Sequence, residues 1–105
     1  MNPFDIDGLT DMLGGFQKRM EELKAEAART QVTGEAGGGA VKVVATGENR
    51  IVSVSISAAA MDDRELLEDL VRAAANEALR QAQAASGAKL SELASMLPMP
   101  PGLRP

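Results

Sequence analysis

The chain has 105 residues, 45% of them hydrophobic and 25% charged, and this length predicts one small globular domain. It contains no cysteine and no histidine, which excludes disulfides, thiolate metal sites and imidazole acid–base chemistry. Its formal net charge of −4 by itself argues against a nucleic-acid partner, and its apolar runs are too short to cross a membrane, so we expect a cytoplasmic protein.

The first predicted element is a helix with heptad spacing. Its apolar residues are separated alternately by four and three positions: Leu9, Leu13, Phe16, Met20, Leu23 and Ala27. This spacing is typical of a helix that packs against another helix. Gly14 and Gly15 interrupt it, and each costs a helix about 1 kcal/mol relative to alanine. We therefore expect the stable helix to run from Phe16 to about Arg29.

Glycines follow this helix at Gly34 and at Gly37–Gly39. A phosphate-binding glycine loop lies between a strand and the N-terminus of a helix, where backbone N–H groups converge. This cluster follows a predicted helix and precedes a predicted strand, and no Gly-Lys-Ser/Thr is present. We interpret it as a structural turn.

Two runs with a period of two predict strands at Ala40–Thr46 and Ile51–Ser57. Each has an apolar face, formed by Val41, Val43 and Ala45 in the first and by Val52, Val54 and Ile56 in the second. The residues Gly47–Arg50 join the two strands at hairpin length. A short third strand over Gln31–Glu35 would complete a small antiparallel three-stranded sheet.

The last predicted element is a long helix. Asp62 is the expected N-cap, with Glu65 reaching back, and the apolar residues that follow have helical spacing. We expect this helix to end near Ala85, where Ser86–Gly87 offers a C-cap, and to resume over Lys89–Met96. The prediction is an α+β domain over residues 1–97, with a proline-rich extended tail over 98–105.

No catalytic constellation is visible. Serine and threonine are plentiful, but no histidine is present to activate them, and the acidic stretch Asp5–Asp11 lacks the spacing of a calcium loop. We therefore predict no enzyme activity, no cofactor, no metal and no small-molecule substrate. The aromatic content is only 2%, so the core must be built from small side chains, and we expect a second copy to supply further burial.

Basic residues lie on both helices. The first helix carries Lys18, Arg19, Lys24 and Arg29, and the last carries Arg64, Arg72 and Arg80, with Lys89 beyond. Acidic residues three or four positions earlier would pair with several of them, namely Glu21 with Lys24, Glu26 with Arg29, Glu68 with Arg72 and Glu77 with Arg80. The charges alone favour solvated, paired helix faces.

The sequence as a whole resembles the YbaB/EbfC family of nucleoid-associated proteins. The stretches that carry the resemblance are QVTGEAGGGAVKVVATGENRIVSVSIS, DDRELLEDLVRAAANEALRQAQ and MLPMPPGL, in this order, within about Leu9 to Leu103. The resemblance implies a tweezer-like homodimer whose sheets join at the centre and whose helices project as arms. It implies binding of duplex DNA without strong sequence demand, with a role in gene regulation for some members.

The resemblance attributes DNA contacts to the first and last helices. The candidate residues are Lys18, Arg19, Lys24, Arg80 and Lys89. Gly14–Gly15 departs from the uninterrupted first helix of the family, which leaves the length of the arm open. The competing hypothesis is a protein–protein adaptor or chaperone-like module that uses the exposed helical arms, which suits an acidic surface and a first helix lined by Leu and Met.

Overall fold

The computed structural model describes residues 6–96, and the predicted tail over 98–105 lies outside them. The elements in chain order are α1 (Ile6–Arg29), β1 (Gln31–Ala36), β2 (Val41–Thr46), β3 (Ile51–Ile56), a short 3₁₀ helix (Ala58–Asp62) and α2 (Arg64–Ala94). The predicted α+β order of helix, three strands and long helix is confirmed.

Helix α1 is continuous from Ile6 to Arg29, so the expected interruption at Gly14 and Gly15 is wrong. Both glycines are exposed, and no other side chain lies within 4 Å of where their β-carbons would be. Each glycine costs only about 1 kcal/mol, whereas a break would leave backbone groups unpaired and require a second helix nucleation. The arm is therefore longer at its N-terminal end than local propensity predicted.

The three strands form an antiparallel sheet in the order β1-β2-β3. Helix α2 packs across β1 and β2, and the buried core lies between them. It consists of Val41, Val43 and Ala45 from the predicted apolar face of β2 and of Ala74, Ala78 and Ala82 from α2. Small residues from both layers thus confirm the core predicted from the aromatic-poor composition.

Gly34 sets the distance between α2 and the sheet. A β-carbon at this position would lie 2.3 Å from both the Ala74 carbonyl oxygen and the Ala78 backbone nitrogen. Contacts this close are incompatible with any side chain, so the helix backbone rests directly on the strand. The alanines of α2 are the residues that permit this approach.

The glycine cluster forms the turn between β1 and β2, with φ of 65° at Gly37, 66° at Gly38 and 91° at Gly39. The prediction of a structural turn is confirmed, although the turn joins two strands rather than a helix and a strand. The β2–β3 turn similarly contains Asn49 at φ 64°. Both turns use the left-handed region that glycine and asparagine tolerate.

Helix α2 differs from its predicted limits at both ends. Its N-cap is Asp63, whose Oδ1 accepts a 3.1 Å hydrogen bond from the Leu66 N–H, and not Asp62, which closes the 3₁₀ helix. The helix passes through Ser86–Gly87 without ending there and continues to Ala94. Ser86 is held by tertiary structure, because its hydroxyl donates to the Gly47 carbonyl oxygen, and it therefore does not act as a cap.

The molecule is elongated, with a Cα radius of gyration of 20.2 Å. A compact chain of this length would have a radius of about 13 Å. The difference arises because α1 and the last turns of α2 project away from the small sheet. The fold therefore presents two distinct surfaces, a helical arm and an exposed sheet edge.

Candidate functional site

The arm consists of α1 and the last turns of α2, held together near the sheet by apolar contacts and a backbone anchor. Leu23 of α1 and Leu93 of α2 are buried in the arm. The Gly47 N–H donates 3.0 Å hydrogen bonds to the carbonyl oxygens of Ala27 and Thr30. The Gly47 carbonyl in turn accepts from Ser86, so a single turn residue is bonded to both helices of the arm.

An ion cluster joins the two helices farther along the arm. Arg19 contacts Glu22 at 3.1 Å and Glu26 at 3.6 Å, and it also bonds Glu92 of α2. Lys89 Nζ donates to Glu26 Oε2 at 3.2 Å. The fold thus brings together two of the candidate DNA-contact residues, Arg19 and Lys89, but each already forms an ion pair with a glutamate.

Two residues of this cluster, Arg19 and Glu26, have a shifted pKa. Hydrogen bonds to Glu92 and Glu22 raise the pKa of Arg19 above its ordinary value. The hydrogen bond from Lys89 lowers the pKa of Glu26. In both residues the neighbouring opposite charges favour the ionised form of the side chain.

Arg80 lies on α2 in the predicted pair with Glu77, which is confirmed. Its Nε and Nη2 donate to the two carboxylate oxygens of Glu77 at 3.0 Å and 2.6 Å. Together with a bond from Gln81, these interactions hold the pKa of Glu77 at about 2. The Arg80 guanidinium is thus a bidentate partner of a carboxylate, in the geometry that would suit a phosphate.

The three other predicted helix pairs do not form. Glu26 bonds Lys89 and Arg19 in place of Arg29, and no ion pair joins Glu21 to Lys24. The third, from Glu68 to Arg72, is replaced by two neighbouring pairs. These are Arg64–Glu68 at 3.1 Å and Arg72–Asp69 at 3.3 Å.

Lys18 and Lys24 have no carboxylate within 4.0 Å among residues 6–96, and neither do Arg29 and Arg50. Lys18 and Arg29 are separated by eleven positions on α1, which places them within about 20° of each other around the helix axis. They are about 16 Å apart along it. Arg29 and Arg50 were not chosen from sequence, where Arg29 was assigned to Glu26. The eleven-residue spacing between Lys18 and Arg29 is the sequence signal that places Arg29 on the same side of α1 as Lys18.

A groove of about 530 Å³ opens at the base of the arm, between α1, the β2–β3 turn and α2. Met20, Leu23, Leu90 and Leu93 contribute apolar surface to it. Lys24 and Lys89 also line the groove, so two of the candidate residues face the same cavity.

The second surface is the edge of the sheet at β3. All six residues of this strand are exposed, and β3 pairs with β2 alone within the described part of the chain. Val54 lies opposite buried Val43, and Ile56 opposite buried Val41, so both predicted side chains lie on the core face. A register shift places Ile51, rather than the predicted Val52, opposite buried Ala45. Helix α2 does not extend over this part of the sheet.

Between residues 6 and 96, no cluster of three acidic residues has the geometry to hold a metal ion. Neither helix, over the residues described, is long and apolar enough to span a membrane.

Comparison with known proteins bears on the whole chain. Residues 1–97 match the model of the YbaB/EbfC DNA-binding family. A nucleoid-associated protein of Polynucleobacter necessarius subsp. necessarius (strain STIR1) is 43% identical over 99 residues, which cover 94% of this chain and 92% of that protein. One from Polynucleobacter asymbioticus (strain DSM 18221 / CIP 109841 / QLW-P1DMWA-1) is 42% identical with the same coverage.

A solved structure has the same fold. The crystal structure of an uncharacterized protein from Helicobacter pylori superimposes with a TM-score of 0.79 and covers 87% of this chain and 98% of its own. The two sequences are 22% identical, so this likeness concerns the fold alone.

Proposed function

The chain belongs to the YbaB/EbfC DNA-binding family, and from this membership we propose that it binds duplex DNA as a homodimer with little sequence specificity. In this proposal the protein acts in the cytoplasm as a nucleoid-associated protein. Any effect on gene expression follows from its occupancy of DNA and not from the reading of a consensus sequence. Two curated relatives bear the name of nucleoid-associated protein, which supports this assignment.

The β3 edge supports the homodimer. Exposed strand edges readily pair with another chain, and this one carries large apolar side chains on the face that continues the core. Ile51 is 45% exposed, Val54 50% and Ile56 39%. Antiparallel pairing of two β3 strands about a two-fold axis would cover these side chains and join the two sheets at the centre of the dimer.

The observation that supports DNA binding by the arm is that Lys18 and Lys24 have no carboxylate partner among the described residues of a chain whose net charge is −4. An ammonium group without a carboxylate partner is free to neutralise a DNA phosphate, which releases the counterions bound to that phosphate. Arg29 lies on the face of Lys18 and joins the proposed contacts. Phosphate contacts of this kind position a duplex without reading bases, which accounts for low specificity.

Arg19, Arg80 and Lys89 remain proposed contacts of a different kind. Each already bonds a carboxylate, at 2.6 Å for Arg80 and 3.2 Å for Lys89. A phosphate must displace or share these carboxylates, so these residues contribute less to affinity than Lys18 and Lys24.

The homodimer is tested by Val54→Lys, with Ser55→Lys as the matched control on the opposite face of β3. The wild type should scatter light as twice 11.0 kDa at micromolar concentration, and so should Ser55→Lys. Val54→Lys should lose the dimer, because two lysines would meet across the paired edges. A stable, folded wild-type monomer would contradict the dimer.

DNA binding is tested by the salt dependence of affinity for random duplexes. If the dimer presents Lys18 and Lys24 twice each, Lys18→Ala with Lys24→Ala removes up to about four contacts, and the slope of log affinity against log salt falls by as much as roughly 3.6. The charge-matched control is Arg64→Ala with Arg72→Ala, which removes two paired cations from the start of α2.

The control should keep the wild-type slope, and the loss in the lysine variant should be similar on unrelated sequences. An unchanged slope in a folded, dimeric lysine variant would refute the proposed contacts. Wild-type protein that shows no salt-sensitive binding would favour the adaptor hypothesis.

A further inference from the structure

The apolar stripe of α1 extends beyond the helix that covers it. Near the sheet the stripe is buried, with Leu23 only 5% exposed. Toward the N-terminus it opens, and Leu9, Met12 and Leu13 are 43%, 44% and 52% exposed. These three residues and half-buried Phe16 share one side of the helix, at spacings of three and four, and are called the distal face.

The distal face is uncovered because α2 is too short to reach it. Glu92 of α2 bonds Arg19 of α1, and α2 ends two residues later at Ala94. The two helices run in opposite directions along the arm. Glu92 bonds Arg19, whereas Lys89, which precedes Glu92 in α2, bonds Glu26, which follows Arg19 in α1. No described residue of α2 therefore lies alongside α1 before about Phe16.

We propose that residues 97–105 of the same chain dock on the distal face and complete the arm. This segment begins at Leu97, three residues after Ala94, the last residue of α2. It continues with Met99 and Leu103, and its first charged residue is Arg104. Its four prolines disfavour a helix, and in this proposal the segment docks as an extended chain.

The lengths match. The distal face spans about 10 Å along the axis of α1, from Phe16 to Leu9. Nine extended residues reach at most about 30 Å, so the segment is long enough to run its full length. An extended chain advances about 3.1 Å per residue, roughly two helical residues. If Leu97 begins beside Phe16, Met99 arrives about four helical residues along, at the level of Met12 and next to Leu13.

Residues 97–105 are better placed to cover the distal face than a second copy of the chain. It is tethered within a few residues of the face, which gives an effective concentration in the millimolar range before any contact is counted. It also brings apolar side chains with little charge to an apolar stripe. A second copy would instead have to bring its own distal face to this one, at the cost of ordinary bimolecular association.

The test uses the absence of cysteine from the chain, so that two introduced thiols are the only ones present. Leu13→Cys with Met99→Cys should form a disulfide under mild oxidation. The product should migrate at the mass of one chain on a non-reducing denaturing gel, and peptide mass mapping should identify the pair. The matched control, Asp11→Cys with Met99→Cys, places the first thiol on the opposite side of α1 with the same tether.

If the segment docks, the cysteines at positions 13 and 99 should form their disulfide at least about tenfold faster than those at positions 11 and 99. An undocked segment would give both cysteine pairs similar effective concentrations and therefore similar rates. Equal rates would overturn the proposal. A product of doubled mass would also overturn it, since the occupant would then belong to a second copy. As a second measurement, deletion of residues 97–105 should speed amide hydrogen exchange at residues 9–16 while leaving β2 protected, and unchanged exchange there would likewise refute docking.

Discussion

Replacing Gly34 with alanine should destabilise the fold severely. The new β-carbon would lie 2.3 Å from the Ala74 carbonyl oxygen and the Ala78 nitrogen, and 2.9 Å from the Ala78 Cα. All three are helix backbone atoms, so no side chain can rotate aside. Ordinary contact begins at 3.4 Å, which requires α2 to move away by about 1.1 Å.

A retreat of that size costs contact along the whole helix–sheet interface. A gap of 0.5–1 Å already forfeits about a quarter to a half of the dispersion energy of each facing pair of atoms. The alanines of α2 are too short to refill the space above Val41 and Val43. We therefore place the cost near the upper end for overpacking, about 3 kcal/mol, which corresponds to a fall in Tm of at least about 10 °C.

The assay is thermal unfolding followed by circular dichroism at one fixed protein concentration, because the Tm of a dimer depends on concentration. The control is Gly15→Ala, which meets no atom within 4 Å and should stabilise α1 by about 1 kcal/mol. A Gly34→Ala protein that melts at or above the wild-type temperature would refute the claim that this glycine sets the helix–sheet distance.

Two further predictions concern the β1–β2 turn and α2. Gly38→Ala with Gly39→Ala should lower the free energy of unfolding by roughly 1–2 kcal/mol per residue, because both positions have positive φ, and urea titration that shows no loss would contradict a turn of this geometry. Because the pKa of Glu77 is held at about 2, below its ordinary 4.5, its carboxylate stabilises the folded chain above pH 4.5, and this contribution is lost as the pH falls toward 2. Glu77→Gln should therefore reduce the acid loss of stability in that interval, and urea midpoints that fall equally in variant and wild type would argue against the interaction.

The order of elements and the core face of β2 could be predicted because period-two β-branched runs and helical spacing are local signals. The continuity of the helices could not. Gly14–Gly15 and Ser86–Gly87 are poor helix residues in isolation, but a helix already formed on both sides outweighs a cost of about 1 kcal/mol for each glycine. Local propensity carries no information about that balance.

The candidate site was predicted less well than the fold. Glu26 was assigned to Arg29, three residues along the same helix, but it bonds Lys89, which is 63 positions away in the chain. A sequence gives the near neighbours of a charge on its own helix, while the partner is decided by which helices meet. The cations of α1 that have no carboxylate partner among residues 6–96, which are the proposed phosphate contacts, emerge only after these long-range pairs are known.

The hydrogen bonds of Gly47 have a mechanical consequence. This residue is bonded to the end of α1 and, through Ser86, to α2, and four residues later the chain enters β3. The arm therefore does not swing on a loose loop, since any rotation of it must break these bonds or drag the start of β3 with it. In the proposed dimer joined through β3, the distance between the two arms would be fixed where each arm meets its sheet. A duplex bound between the arms would therefore have to change its bend or its groove width to fit the protein.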